Sequence, residues 1–424
     1  MDTIFALSSG APPAGIAVIR MTGPAAGDAL GRLCGKVPEP RVATRVFLRD
    51  AENEILDDGL VLWFPAPRSV TGEDVAELHL HGGRAVIAAV ERAIAAIPGL
   101  RRAGAGEFTR RSFANGRIDL AEAEGLADLL AAETEWQRRA AIKSAGGLLS
   151  RKVEAWREQL LRFSAEVEAA LDFDDEDDVG GLRDSFHEEL RGFGADLDDA
   201  LALPSAEPLR EGFRVALAGP PNAGKSTLFN ALIEDEAAIA TPIAGTTRDV
   251  LVRPVALCGL PFSFVDMAGV HDQSDDQIES IGIERALREI ERADLVLWLG
   301  PQGDGPAGAW EIDAQCDLID KLRKRAPAHR ISAITGEGLE ELKSSLVDHA
   351  RHSLPGPGDV ALNARQRDLV AHAALHLREA GRLSDPLLIA ESLRMARQAF
   401  DTLLGRTATE DLLDTLFGRF CIGK

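Results

Sequence analysis

The chain has 424 residues and a mass of 45.4 kDa, enough for about three domains. With 47 basic against 68 acidic residues its formal charge is −21, which argues against a protein that grips nucleic acid through overall positive charge and leaves any RNA contact local or delivered by a partner. No apolar run approaches the roughly 20 residues that span a bilayer. Four scattered cysteines, with no long apolar stretch before Arg20, predict a reducing, cytoplasmic setting without a disulfide framework or a zinc cluster.

Residues 1–118 read as an α+β domain. Short β-rich runs such as Gly15–Arg20 and Leu60–Phe64 alternate with turn clusters and two helix patterns. From Leu120 to Leu201 the pattern becomes amphipathic helix, with Leu126, Leu129 and Leu130, then Trp156, Leu160 and Phe163, at helical spacing. The acidic run from Leu171 to Asp178 lacks the spaced carboxylates of a calcium loop and reads as a solvated helix end.

A proline-marked joint at Leu203–Pro208 leads into Phe213–Ala218, a strand-like run. Directly after it, Gly219-Pro220-Pro221-Asn222-Ala223-Gly224-Lys225-Ser226 satisfies the phosphate-loop pattern, and Ser226–Leu232 continues as helix. The glycines allow backbone N–H groups to wrap an anion at a helix N-terminus; Lys225 suits the β- and γ-phosphates and Ser226 a Mg²⁺ ion. Asn222, Ala223, Gly224, Lys225, Ser226 and Thr227 are thus candidate contacts of a nucleoside triphosphate.

Two switch-like elements follow. Gly245–Asp249 contains Thr246 and Thr247, the latter a candidate Mg²⁺ ligand, and the strand Phe262–Val265 runs into Asp266-Met267-Ala268-Gly269. Asp266 suits a carboxylate behind the metal, and the Gly269 N–H a γ-phosphate donor. In series these predict a GTPase-type switch domain. The guanine-reading pattern N-K-x-D is degenerate here: after a broken strand at Trp310–Ile312 comes Ala314-Gln315-Cys316-Asp317, which keeps the Asp and lacks the Asn tether. Asp317 reads either as the guanine carboxylate or as the cap of a helix over 318–322. Ser332 and Ala333 resemble the second base-contacting loop, followed by Ile334 where a Lys is common.

A second joint at Leu354–Gly358 is followed by further amphipathic helices from Ala361 to Phe420. The divisions expected are 1–118, a helical part 119–210, a P-loop domain 211–352 and a second helical part 353–424, the helical parts forming one discontinuous domain with the P-loop domain inserted. The chain ends in Phe420-Cys421-Ile422-Gly423-Lys424, where a cysteine beside a lysine is either a reactive thiol or incidental.

Taken together, P-N-A-G-K-S, G-T-T-R-D, the inserted switch domain and the terminal C-I-G-K resemble the MnmE (TrmE) family of tRNA-modification GTPases. Thr71–Leu78, His81–Gly83 and Gly106–Glu124, with its G-E-F-T-R-R, extend the likeness to the whole chain. The resemblance implies an enzyme that modifies carbon 5 of the wobble uridine of certain tRNAs. It implies a partner, MnmG, that binds FAD and NADH, a tRNA held mainly by that partner, and a one-carbon unit from 5,10-methylene- or 5-formyl-tetrahydrofolate. It also implies a homodimer through a folate-binding N-terminal domain, with Arg20, Glu77 and Arg117 in the pocket and Lys424 close to it; Arg117 stands where the family often has Lys. Cys421 matches an essential cysteine. Hydrolysis of GTP would use Mg²⁺ together with K⁺ held by Asn222, Thr241, Ile243 and Thr246 in place of an arginine finger. Glu279 would orient the attacking water; from spacing alone it reads as an exposed helical residue. Two other readings stay open on motifs alone: a ribosome-assembly or signalling GTPase, which gives C-I-G-K no reason to exist, and a folate-dependent aminomethyltransferase, which leaves Gly219–Asp317 unexplained.

Overall fold

The computed structural model describes residues 2–172, 182–234, 251–267, 288–318, 323–356 and 359–424. Its internal contacts divide the chain into two units, 1–127 with 401–424, and 128–400. Both proline-marked joints lie inside the second unit. In the first, Leu413, Leu416, Phe417 and Phe420 bury against Leu120 and Ala123, with Phe113 and Ile118 packed alongside.

The first unit is built on a six-stranded sheet of order β3-β4-β5-β2-β1-β6. These are β1 (Thr3–Leu7), β2 (Ile16–Thr22), β3 (Thr44–Arg49), β4 (Ile55–Phe64), β5 (Val75–His81) and β6 (Leu100–Arg102). Alternation along the central strands decides its two faces. Ala17, Ile19 and Met21 of β2 and Ala76, Leu78 and Leu80 of β5 are buried with Leu30, Leu33, Val90 and Ile94 of helices Ala26–Cys34 and Arg84–Ala95. The opposite parity carries Arg20 and Glu77, which face each other in register. A third helix, Glu107–Ala114, holds the G-E-F-T-R-R segment, one more than the two helix patterns expected for residues 1–118. Arg110 ties it to the C-terminal segment through Asp414, at 2.7 Å, and Glu410.

The second unit contains another six-stranded sheet, β12-β11-β10-β7-β9-β8, made of β7 (Phe213–Ala218), β8 (Leu251–Leu257), β9 (Leu260–Asp266), β10 (Leu295–Trp298), β11 (Trp310–Ala314) and β12 (His329–Ile331). Among the described residues, only β8 pairs antiparallel, at an edge. The strand placed at Trp310–Ile312 extends two residues further, because Ile312 and Ala314 point into the core while pairing with His329 and Ile331 of β12. Helices on either side of this sheet in the sequence pack on each other. Phe186–Ala202 lies along Ala364–Ala380, where Arg378 meets Asp198 at 2.6 Å and Arg367 donates to the Leu201 and Leu203 carbonyls at 2.6 and 2.9 Å. Trp156 of helix Leu148–Asp172 stacks on Phe400 at 5.9 Å, and Phe163 meets Phe186 edge-on at 5.5 Å. Of the leucines at helical spacing near residue 130, Leu126 packs partly into the core whereas Leu130 is exposed. No helix among the described residues is long and apolar enough to cross a membrane.

Candidate functional site

In the second unit the phosphate-loop segment leaves the carboxyl end of β7, a central strand, where an open parallel sheet presents its ligand crevice. Gly219 has φ 147° and lies so close to β10 that a Cβ would stand 3.0 Å from the Gly300 nitrogen, so only glycine fits. Asn222 and Gly224 take φ 60° and 97°, turning the chain back onto the helix Lys225–Glu234. That alternation of left-handed positions ahead of a helix N-terminus is the geometry by which successive N–H groups converge on an anion.

Lys225 is buried, and its ammonium donates to the carbonyls of Gly219 at 2.8 Å and Pro220 at 2.9 Å. Burial pulls its pKa down, opposed by the carboxylate of Asp266. Asp266 closes β9 opposite Leu217 in register and is itself buried, as is Met267. A cation in the loop and a carboxylate at the neighbouring strand end are the two charges that a metal–triphosphate pair needs. Ser226 and Thr227 sit exposed at the helix start. Thr241, Ile243, Thr246, Thr247, Ala268, Gly269 and Glu279 lie outside the described residues, as does most of the acidic run after Leu171.

The degenerate base-reading segment arrives at the same edge from β11. Gln315 is left-handed at φ 59°, and its side-chain amide donates to the Asn222 carbonyl at 3.4 Å, lying against Gly224. Asp317 follows, exposed. Cys316 N–H bonds the Ile331 carbonyl at 3.0 Å, which joins this segment to the loop after β12. There Ser332 is fully buried and caps its own turn by accepting from Thr335 N–H at 3.2 Å; Ala333 is partly buried and Ile334 is exposed. The phosphate loop, Asp266, Asp317 and Ser332 thus all lie at or just beyond the carboxyl ends of parallel strands of one sheet. Asp317 as the cap of a helix over 318–322 falls on residues that include undescribed ones.

The first unit holds a separate cleft of about 520 Å³ on the polar face of its sheet. Arg20, Glu77 and Arg117 all line it, together with Arg41, Arg68, Phe64, Val70 and Val75. Arg20 donates through Nε and Nη2 to one Glu77 oxygen at 2.9 and 2.7 Å, and its guanidinium lies 6.0 Å from the Phe108 ring. Arg41 stacks over Phe64 at 5.5 Å. Four arginines against one glutamate make this cleft cationic in an acidic chain, so it suits an anion attached to an apolar body. Arg41 and Arg68 escaped the sequence reading because no spacing links them to Arg20; the pairing of β4 with β5 brings Phe64 beside Val75 and the loops with it.

Lys424 is not among the residues lining the cleft. The tail before it nevertheless docks in this unit. Ile422 forms a β-bridge with Ala105, and Gly423 accepts from the Ser8 hydroxyl at 2.8 Å. Cys421 is exposed and forms no disulfide. No group of three or more potential metal ligands occurs among the described residues.

Comparison with known proteins adds two matching domain models, one described as GTP-binding protein TrmE N-terminus over residues 3–117 and one as MnmE helical domain over 120–421. A protein of Erythrobacter litoralis named tRNA modification GTPase MnmE is 60% identical, with all of both chains covered. One of the same name from Novosphingobium aromaticivorans is 59% identical, again over the whole of both. Among solved structures, the G domain of the Thermotoga maritima FeoB iron transporter covers 32% of this chain and 98% of its own at 27% identity, with a TM-score of 0.24, too low to add to the assignment.

Proposed function

The chain belongs to the MnmE family of tRNA modification GTPases, and from that membership we propose a GTPase that is K⁺-activated and modifies carbon 5 of a wobble uridine with a folate-borne one-carbon unit. GTP is the substrate. Lys225 and the loop N–H groups from Asn222 to Ser226 would hold its phosphates; Ser226, with Thr247, would ligate Mg²⁺, and Asp266 would stand behind the metal. Asn222, already left-handed with its side chain exposed, would contribute to a K⁺ site with Thr241, Ile243 and Thr246, supplying the charge that an arginine finger brings elsewhere. Glu279 would hold the water that attacks.

The observation that carries the folate side is the arginine-lined cleft in the same unit as the docked terminal tail. Its wall of Phe64, Val70 and Val75 fits a flat heteroaromatic ring, and its arginines fit a carboxylate tail; bound tetrahydrofolate would supply the one-carbon unit. The tail docks near the end of β1, and Ala6 in that strand pairs with Arg20. That proximity supports Cys421 as a group acting on the same chemistry.

On the outward face of this sheet Phe47, Leu60 and Ile16 are exposed, which supports a second copy covering it. The reductive step requires electrons that no residue here supplies, so a FAD- and NADH-binding partner of the MnmG type is part of the proposal, as is delivery of tRNA largely by that partner. The setting is cytoplasmic.

The test pairs phosphate release with a nucleoside digest of tRNA. Cys421→Ser should keep hydrolysis and lose modification, Glu279→Ala should lose both, and turnover should fall sharply when Na⁺ replaces K⁺. Wild-type modification by Cys421→Ser removes the thiol from the chemistry, and equal rates in the two salts remove K⁺.

A further inference from the structure

We infer that Arg323 is the positioning residue of the base-reading loop, bracing it from outside in place of the missing asparagine tether at position 314. The inference rests on the reading of Asp317 as the guanine carboxylate. Position 314 is alanine, whose methyl group packs into the sheet core and has no polar atom to hold the loop that follows. That loop is a turn closed by Leu318 N–H to the Gln315 carbonyl at 3.1 Å, and it begins with a non-glycine residue in a left-handed conformation. A left-handed Gln is an uncommon conformation that surrounding contacts must hold.

The Arg323 guanidinium supplies three such contacts. Nη2 donates to the carbonyls of Cys316 and Leu318, each at 2.7 Å, and Nη1 donates to that of Gln315 at 3.3 Å. The carbonyls of Gln315, Cys316 and Leu318, around Asp317, are therefore gathered by one planar cation. A fork of fixed donors can do this, whereas an ammonium acts as a point charge on a flexible stem.

The backbone from which Arg323 projects is itself pinned. Its neighbour Lys324 is buried and donates to the Trp298 carbonyl at 2.7 Å and to Glu311 at 2.5 Å, fastening this stretch to β10 and β11. Loop and brace are thus referred to the same two strands. On the loop's other side Gln315 contacts the phosphate loop at the Asn222 carbonyl. Loss of the brace should release both Asp317 and that contact.

The experiment measures Kd and dissociation rates of fluorescent GDP and GTP, KM and kcat for hydrolysis, and competition by XTP, on the full chain. Arg323→Ala should weaken GDP and GTP binding about tenfold, mostly through faster release, and raise KM while kcat at saturation stays within about twofold. Arg323→Lys should fall between it and wild type. Restoring the tether in Ala314→Asn/Arg323→Ala should recover most of the lost affinity, a rescue that a general loss of stability would not give.

Unchanged Kd in Arg323→Ala overturns the inference, as does failure of Ala314→Asn to rescue a folded double variant. If Arg323→Ala does not fold, Arg323→Lys decides, and wild-type affinity there overturns it. Asp317→Asn separates the two claims: a shift from GTP toward XTP with Arg323 variants silent sinks the brace and keeps the base reader. No shift removes the base reader and the inference with it.

Discussion

The hydroxyl of Ser8 donates to the carbonyl of Gly423, 415 positions away, at 2.8 Å. That bond fastens the end of the chain to the end of its first strand, and the adjacent Ile422–Ala105 bridge makes a second fastening. Gly423 can sit there because it has no side chain. Its φ is 98°, and a Cβ would come within 2.2 Å of the Leu7 carbonyl oxygen. The glycine of the terminal motif is thus required by contact, and the docked segment leaves Cys421 exposed beside Ile422.

Gly423→Val should therefore free the tail while leaving the two sheets folded. Amide exchange at residues 421–424 should accelerate, uridine modification should fall at least tenfold, roughly the loss expected when a reacting group is displaced, and GTP hydrolysis should persist. Unaltered modification with a freed tail would show that docking is not needed for the chemistry.

At the nucleotide site, Lys225→Met removes a buried ammonium whose two partners are backbone carbonyls of its own loop. GTP affinity should drop by about 2 to 5 kcal/mol, the cost of truncating a close charge partner, with little change in secondary structure by circular dichroism. Gly219→Ala should lose affinity by another route, since φ 147° and the 3.0 Å approach to Gly300 both oppose a Cβ. Calorimetric titration with GDP distinguishes wild-type affinity, which contradicts this account, from the expected loss.

The cationic cleft makes its own prediction. Arg68→Ala and Arg41→Ala should each weaken binding of 5-formyl-tetrahydrofolate by about tenfold, the usual worth of a hydrogen bond to a charged group. Glu77→Ala should weaken it too, by releasing Arg20 from the pair that fixes its direction. Hydrolysis of GTP without folate should not change. Titration of the ligand's absorbance shift reads all three variants.

The thiols differ in accessibility. Burial pushes Cys34 up to about 12, so it stays protonated through the mildly alkaline range, whereas Cys258 and Cys421 are exposed. Iodoacetamide near pH 8 should label Cys258 and Cys421 well before the half-buried Cys34. Peptide mapping by mass spectrometry checks the order; labelling of Cys34 as fast as Cys421 would contradict this account.

The sequence by itself determined the local elements and the chemistry they can do. Gly219–Ser226 follows a strand and precedes a helix because glycine placement, apolar alternation and helix-forming residues are short-range properties, legible at a separation of a few positions. Asp266 at a strand end and the amphipathic helices were legible for the same reason. Family resemblance then singled out Arg20, Glu77, Arg117 and Cys421. Only the tertiary structure decided which separated segments share a core and a site. It assigned residues 401–424 to the unit of residues 1–127, let β11 run on to Ala314, and added Arg41 and Arg68 to the cleft. It also turned Leu130 to solvent and gathered the loop carbonyls around Arg323. Each of these depends on strand order, on register or on apolar surfaces meeting across tens to hundreds of positions, and nothing in residue spacing encodes such pairings.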